Sequence, residues 1–493
     1  MQLYDKDLLS MQEVRELVGA AKKAQSELAR MSQEQVDHIV KAIADAGVRN
    51  ALRLAQMANE DTGFGIVSDK IIKNVFASRG VYEHIKDMKT VGEVARDDAK
   101  KMRTIAVPVG VIAGLIPSTN PTSTALYKAE IAIKAGNAIV FSPHPSALRC
   151  ILETVKVIRQ AISEAGGNED LVSCITIPTM EATDNLMHHR DVTMILATGG
   201  SAMVRAAYMS GTPAIGVGPG NGPAYLEKTC DLPLAVKRIL DSKTFDNGLI
   251  CASEQSIICD EDRVDAVREE MERQGAYFLS DAESEKLGKY ILRANGTMNP
   301  EIVGRSVETI CKLAGLDSVP AGKRVLVAKE TGVGRGHPYS NEKLAPILAF
   351  FTAKDYTEVC ERVCEVLHYE GAGHTFSIHT KDDKMVDYFA RRVPASRIMV
   401  NTPSALGGIG ATTGLMPALT LGCGAVGGSA TSENVGPMQL LNMRHVAYGI
   451  KEMEQIRASV PDCSDGICHM GPDISAEDVE TIVKRIIAQF QNA

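Results

Sequence analysis

The chain has 493 residues, too many for one ordinary core, and its 45% hydrophobic and 23% charged residues form a globular balance that leads to two or three domains. A formal net charge of -8 without a basic block argues against nucleic acid or an anionic membrane as main partner, and no apolar run approaches the ~20 residues of a membrane-spanning helix. Met1-Gln2-Leu3-Tyr4-Asp5 opens no signal peptide, and eleven scattered cysteines without a CxxC pair support neither a disulfide framework nor a zinc ribbon, so an intracellular protein is expected.

Met11 to about Gly47 reads as two amphipathic helices. Val14, Leu17, Val18 and Ala21 mark the first; Ser32 with Gln35 makes a capping box for the second, whose Val36, Ile39, Val40 and Ile43 recur at helical spacing. An Asp61-Thr62-Gly63-Phe64-Gly65 turn follows, with Asp69-Lys70 after it. Ile105 to Ile116 is an apolar, β-branched run broken by Pro108, and it delivers the turn Pro117-Ser118-Thr119-Asn120-Pro121. A strand ending this way places side-chain donors where ligands of open α/β sheets bind, although the same residues also suit a plain tight turn.

From Asn137 to Gly218 the pattern alternates. Strands are expected at Ala138–Ser142, Val172–Ile177, Val192–Ala197 and Ala214–Val217, with helices at Ala147–Ala165 and Ser201–Ser210. Such alternation predicts a parallel sheet with helices on its faces, the dinucleotide domain. The fingerprint GxGxxG is absent: Gly216-x-Gly218-x-Gly220 and Gly332-x-Gly334-x-Gly336 do not fit it. Thr198-Gly199-Gly200-Ser201, between a strand and a helix, is the better pyrophosphate site, because free N–H groups and the helix dipole can face an anion there.

Ser242 to Gln255 is the stretch around which the rest is arranged. Cys251 follows a Gly-Leu-Ile step and precedes a strand at Ser256–Cys259, a position from which a loop can present a thiol to a cleft. Taken alone it is one cysteine of eleven, and most cysteines are buried and inert. Beyond it, helices are expected at Glu261–Gln274 and Ser284–Ala294, and a strand at Arg324–Ala328. His374 lies on the small-residue turn Gly371-Ala372-Gly373-His374-Thr375 at a helix–strand junction. Cys360 and Cys364 share a helix face, and Cys463, Cys468 and His469 lie in the tail; these read as free thiols rather than a metal site. Pro461 to Pro472 reads as a linker, and after it Ser475 caps a helix whose Val479, Ile482, Val483, Ile486 and Phe490 form one apolar stripe.

From about Met11 to about Gly449 these motifs resemble the CoA-acylating aldehyde dehydrogenases, a group that includes ethanolamine- and propanediol-pathway enzymes and the N-terminal half of bifunctional aldehyde-alcohol dehydrogenases. The resemblance implies an α/β fold of two Rossmann-like parallel-sheet domains plus a β oligomerisation element. It divides the chain into a cofactor-binding domain (1–245, with part of an oligomerisation arm near 95–115), a catalytic domain (246–432), an oligomerisation strand (433–460, from Glu433 to Tyr448) and a linker with a terminal helix (461–493). The implied reaction converts an aldehyde, NAD (NADP the alternative) and CoA to acyl-CoA and NADH. Cys251 would be the nucleophile, Asn120, with Thr119 as the other match, the holder of the substrate oxygen, and His374 the aid to thiol deprotonation.

Cofactor contacts would come from Ser118, Ser142, Pro145, Thr198, Gly199, Gly200, Met203, Val217, Gly218, Glu342 and Leu344. Ordinary aldehyde dehydrogenases have a lysine in place of Ser142. They also carry, at the position aligned with Gly216, a glutamate that activates the hydrolytic water; without that base a thioester can wait for another thiol. Asn401-Thr402-Pro403-Ser404 and Gly407-Gly408-Ile409-Gly410 would be substrate-side loops. The partners implied are a small aldehyde, CoA, a second copy in a homodimer or homotetramer, and a microcompartment shell protein through residues 475–493, since the tail resembles encapsulation peptides; the same apolar stripe equally suits a helix docked on its own subunit. The expected location is the cytoplasm, inside such a compartment. The competing readings are a hydrolytic aldehyde dehydrogenase and a non-catalytic, shell-associated protein that would not need Cys251.

Overall fold

The computed structural model describes residues 5–293 and 296–460, together with 479–481, 483–485 and 487. It divides into two compact units, one of residues 1–92 and 106–443 and the other of 93–105 and 444–493. The two expected N-terminal helices are Lys6–Leu28 and Gln33–Arg49. The second opens with the expected capping box: Ser32 N–H donates to Gln35 Oε1 at 2.9 Å and Gln35 N–H to Ser32 Oγ at 3.4 Å. Val36, Ile39, Val40 and Ile43 are its buried stripe, as their spacing predicts.

The apolar run around Pro108 is two strands rather than one. Gly92–Asp97 (β1) and Met102–Pro108 (β2) are followed, past Val109-Gly110, by Val111–Ile116 (β3), which forms the middle of the first parallel sheet. Part of the stretch expected to serve as an arm near 95–115 is therefore buried sheet.

That sheet contains β3, Ala138–Pro143 (β4), Val172–Cys174 (β5), Val192–Thr198 (β6) and Ala214–Val217 (β7), in the order β5-β4-β3-β6-β7 with all neighbours parallel. The chain runs outward from β3 through β4 to β5, then crosses back to lay β6 on the other side of β3. This makes the carboxyl ends of β3, β4 and β6 a topological switch point, the place where such sheets bind ligands. The helix Pro121–Lys134, between β3 and β4, is buried along its whole length. Its Lys128 ammonium donates to Leu115 O in β3 and Leu196 O in β6, each at 2.8 Å, and so ties the two strands together below that edge.

The second sheet has seven strands: Gly222–Leu226 (β8), Glu254–Asp260 (β9), Ala276–Phe278 (β10), Val325–Lys329 (β11), Ile347–Ala353 (β12), Gly373–His379 (β13) and Ala395–Val400 (β14). Their order is β10-β11-β12-β9-β8-β13-β14, again all parallel. Because side chains alternate along a strand, Ile258, Leu326 and Phe351 feed one core while Ile257, Val327 and Phe350 feed the other, on the opposite face. β8 lies on the N-terminal side of the expected boundary after residue 245, yet it sits between β9 and β13, so that boundary cuts through this sheet.

In the smaller unit, β1 and β2 pair with Leu441–Ala447 (β15) in a three-stranded sheet ordered β1-β2-β15. Of the expected strand from Glu433 to Tyr448, only β15 is extended; Pro437–Leu440 before it is a 3-10 turn. The tail linker, Cys463, Cys468, His469, Ile482, Ile486 and Phe490 lie outside the described residues. No helix among the described residues is long and apolar enough to cross a membrane.

Candidate active site

Cys251 is half-buried and stands just ahead of β9, at the amino edge of the seven-stranded sheet. The helix Leu232–Thr244 delivers the chain there through a turn in which Asp246 (φ 49°), Asn247 (φ 54°) and Gly248 (φ 78°) are all left-handed. Only glycine visits that region freely, so two consecutive side-chain residues in it cost about 1–2 kcal/mol each. The Asp246 carboxylate offsets that cost. It accepts from Ile66 N–H at 2.6 Å and from Lys70 Nζ at 3.0 Å, and it is paired with Lys73 Nζ, while Asp246 N–H donates to Asp69 Oδ2 at 2.8 Å. Asp246, Lys70 and Lys73 are all buried.

Lys73 also donates to Asn120 Oδ1, and Asn120 Nδ2 donates to Leu249 O at 3.2 Å and Thr119 Oγ1 at 3.3 Å. The turn after β3 is thereby joined to the segment that carries Cys251. Of the two matches considered, Asn120 is the one whose amide N–H points to the nucleophile's own segment.

A third strand of chain closes on the thiol. Gly220, between β7 and β8, lies against Cys251: a Cβ on it would stand 1.9 Å from Cys251 O. Its N–H donates to Glu342 Oε1 at 2.8 Å, so Glu342 reaches the same place. Buried Gln255 accepts from Lys243 Nζ at 2.8 Å and from Lys343 N–H at 2.9 Å, which ties the nucleophile's strand to the Glu342 loop. Burial first, then the neighbouring Glu370 carboxylate, pushes the Glu342 acid up to about 8. On the other side, a Cβ on Gly408 would meet Ala252 Cβ at 2.7 Å, which puts the 407–410 turn beside the nucleophile's segment.

Gly216 has no room for a side chain. A Cβ there would stand 2.5 Å from Val204 Cγ1 and 2.9 Å from Tyr208 Cε2. The Tyr208 hydroxyl accepts from Gly216 N–H at 2.8 Å and donates to Gly216 O at 3.2 Å. The space that a side chain on Gly216 would occupy is thus filled by Val204 and by the Tyr208 ring, both from the preceding helix, Ser201–Met209.

Burial pushes the Cys251 thiol up to about 12, with Glu342 and Cys423 adding to the rise and the buried Arg397 guanidinium opposing it. His374, the second residue of β13, is fully buried, and burial, then Arg397, holds it down at about 3, so its ring is neutral. His374 Nδ1 pairs with Thr375 Oγ1 at 2.9 Å, and Nε2 has no partner among the described residues. Arg397 on β14, held by Ser432 O at 3.2 Å and Asn434 Oδ1 at 3.4 Å, is thus the electrostatic neighbour common to both.

At the switch point, the turns after β3, β4 and β6 and the end of β7 bring Ser118, Pro145, Thr198, Gly199, Gly200, Val217 and Gly218 to one sheet edge. The helix Ser201–Met209 starts at Gly200 without a side-chain cap. A Cβ on Gly200 or Gly218 would meet nothing within 4 Å, and one on Gly199 only Met203 Cβ at 3.9 Å. Thr198 Oγ1 is buried with no partner among the described residues. Open backbone, uncapped N–H groups and an unsatisfied hydroxyl fit a dinucleotide pyrophosphate. Ser142 differs from expectation: it is buried and its hydroxyl is spent on Thr183 Oγ1 at 2.8 Å, which leaves Pro145 and His144 as the exposed part of that turn. Leu344, half-buried, uses its carbonyl to accept from Gly304 N–H at 2.7 Å.

Lys73, Tyr208 and Arg397 are site residues that motif reading does not find. For Lys73 a signal existed: Lys70, Lys73 and Asn74 share one face of the helix Val67–Val75, and that polar face is the buried one.

Residues 4–294 match the aldehyde dehydrogenase family. The chain is 45% identical over 446 residues to a bifunctional aldehyde-alcohol dehydrogenase of Escherichia coli K12, a match covering 90% of this chain and 50% of that protein. It is 37% identical to a succinate-semialdehyde dehydrogenase (acetylating) of Clostridium kluyveri, covering 89% and 96%. The chain spans about half the length of the bifunctional curated relatives it matches and nearly all of the Clostridium kluyveri protein. Among solved structures it superposes on a probable aldehyde dehydrogenase from Listeria monocytogenes with TM-score 0.91 and 62% identity, covering 92% of this chain and 100% of that one. A propionaldehyde dehydrogenase from the Clostridium phytofermentans fucose utilisation microcompartment gives 0.80 and 27%, covering 89% and 98%. A Rhodopseudomonas palustris propionaldehyde dehydrogenase, solved with bound CoA and an acylated cysteine, gives 0.79 and 28%, covering 88% and 97%.

Proposed function

The chain belongs to the aldehyde dehydrogenase family, and from that we propose that it oxidises a short-chain aldehyde to the acyl-CoA with NAD, through a thioester on Cys251 that CoA resolves. In support, the Clostridium kluyveri relative is named as acetylating, and the Rhodopseudomonas palustris enzyme was solved with bound CoA and an acylated cysteine. The observation that carries the CoA step is Gly216. A water attacking a thioester at neutral pH needs a general base, and Val204 and Tyr208 fill the space where the hydrolytic relatives would hold one.

In this reading Cys251, as thiolate, forms a C–S bond to the aldehyde carbon, and the carbonyl π electrons move onto oxygen. Asn120 Nδ2 and Cys251 N–H hold that oxyanion. The thiol proton is lost to solvent, and His374, whose neutral ring has Nε2 unpaired among the described residues, is the proposed aid to that loss, as a hydrogen-bond partner rather than as a strong base. A nicotinamide dinucleotide bound at the switch point supplies the hydride acceptor. Thr198 and the open turn 198–201 receive its pyrophosphate, and Glu342 its nicotinamide ribose. When the substrate carbon has lost hydride, the oxyanion re-forms a carbonyl and leaves an acyl thioester on Cys251. A CoA thiolate then adds to that carbonyl, the bond to Cys251 breaks, and the cysteine departs as thiolate. Room for the second substrate would come at Gly218, where a Cβ would meet nothing within 4 Å.

NADH formation followed by absorbance, with propionaldehyde and NAD, with and without CoA, on wild type and Cys251→Ala, tests the reading. Turnover that requires both CoA and the cysteine supports it. Steady NADH production with free acid as product would indicate a hydrolytic enzyme, and no turnover at all a non-catalytic protein.

For assembly, we propose that β15 and its sheet pair between subunits of a homodimer or homotetramer, and that the tail helix docks on a microcompartment shell. Supporting the second point, Val479, Val483 and Ile487 recur every four residues along helical chain and are 49%, 45% and 49% exposed. Deleting residues 475–493 should then leave activity intact and abolish co-purification with shells.

A further inference from the structure

We propose that Lys73 is a positioning residue: its buried ammonium fixes the Asn120 carboxamide so that the amide N–H, not the oxygen, faces the substrate oxyanion. The inference rests on the reading of Asn120 as oxyanion donor and adds what makes that donor reliable. Lys73 Nζ can only donate and Leu249 O can only accept, and the Asn120 amide lies between them. Only one of the two amide orientations satisfies both neighbours; of its two Nδ2 hydrogens one goes to Leu249 O, and the other, which donates to Thr119 Oγ1 at 3.3 Å, is the one a substrate oxygen would take over. The flipped form would set NH2 against the ammonium and Oδ1 against the Leu249 carbonyl. Chemistry therefore dictates the orientation.

The charge matters as well as the contact. A cation bonded to Oδ1 draws electron density from the amide, which makes Nδ2–H a stronger donor toward a developing negative charge in a site shielded from water. Lys73 is 2% exposed and its ammonium is kept in place by Asp246, which Lys70 shares from one turn away. The groups that face it are Asp246, Lys70, Asp69 and Asn120. The helix that presents it is itself anchored to the start of Pro121–Lys134: Asn74 Nδ2 donates to Ala51 O at 3.0 Å, and Thr122 Oγ1 donates to Asn74 Oδ1 at 2.8 Å. Lys73 and Asn120 thus sit on two elements pinned to each other one residue beyond Lys73 and two beyond Asn120.

The test is the rate of the single NADH burst formed from aldehyde and NAD without CoA, measured for Lys73→Met, Asn120→Ala and the double variant, with thermal melting as the check on folding. Lys73→Met is expected to slow the burst about 100-fold, as loss of an oxyanion donor does, without changing the aldehyde concentration for half-saturation more than about threefold. In the Asn120→Ala background the same change should cost less than about threefold, because nothing is left to position. Lys70→Met, which removes the other cation from Asp246 and leaves Asn120 untouched, should keep a burst within about threefold of wild type. Losses that multiply in the double variant, or an equal loss in Lys70→Met, would overturn the inference alone. A wild-type burst in Asn120→Ala would overturn the oxyanion reading beneath it. If Lys73→Met does not fold, Lys73→Gln, which keeps a donor but not the charge, takes its place, with a loss of about tenfold expected and an unchanged burst overturning the proposal.

Discussion

Gly220 lies so close to Cys251 that a single Cβ on it would stand 1.9 Å from the Cys251 carbonyl oxygen. Backbone cannot yield as a flexible side chain can, so Gly220→Ala must push the nucleophile's segment aside. Displacement of a reacting group by about 1 Å costs on the order of 100-fold in rate. The expected outcome is a fall of about that size in kcat with a stability loss of only about 1–3 kcal/mol, read by steady-state NADH formation and thermal melting on the same preparation.

The thiol's protonation can be followed directly. With burial holding Cys251 at about 12, its reactive thiolate is a small fraction throughout the neutral range and grows about tenfold per pH unit. Alkylation of Cys251 by iodoacetamide in the ligand-free protein, tracked by peptide mass, should rise from pH 7 to pH 10 without levelling off near 8.5. Arg397 opposes the shift, so Arg397→Met should raise the thiol further and slow alkylation at every pH. His374 is neutral above about pH 3, and no step in the profile is expected between pH 6 and 7.

Gly216→Glu should not convert the protein into a hydrolase. Val204 and Tyr208 already fill the space, so the glutamate is expected to cost about 1–3 kcal/mol by overpacking and to give no CoA-independent turnover. The two quantities to measure are the melting temperature and NADH formed over many turnovers without CoA.

Asp246 neutralises two buried lysines while holding a left-handed turn. Its removal in Asp246→Ala leaves the buried Lys70 and Lys73 without that partner, and a buried pair broken on one side costs about 3–5 kcal/mol. The urea midpoint at pH 7 should fall accordingly, whereas Lys70→Met, which leaves Lys73 paired, should lower it by less.

Much of this architecture is legible in the chain. The Ser32–Gln35 box, most of the alternation from Ala138 to Val217 and the Thr198 turn follow from local rules of capping and spacing and are present, although the strand expected over Val172–Ile177 ends at Cys174 and the helix Met180–Met187 is not among the expected elements. Pro121–Lys134 does not announce itself in the same way. Apolar residues surround it on all sides, and Lys128, Glu130 and Lys134 are buried among them, so it shows no polar face to set a helical period against. The Asp246 cluster was hidden for a different reason: its partners lie 173 and 176 residues away, and only the folded sheets bring them together. Ser142 shows the limit of matching by position, since its hydroxyl is already bonded to Thr183.

The most direct test of the central claim is the fate of the acyl group when CoA is withheld. Wild-type protein mixed with NAD and propionaldehyde should form one NADH per active site and stop, with the propionyl group found by mass spectrometry on the peptide carrying Cys251 and released as propionyl-CoA when CoA is added. Continued NADH formation without CoA, with no acyl group on that peptide, would contradict the account.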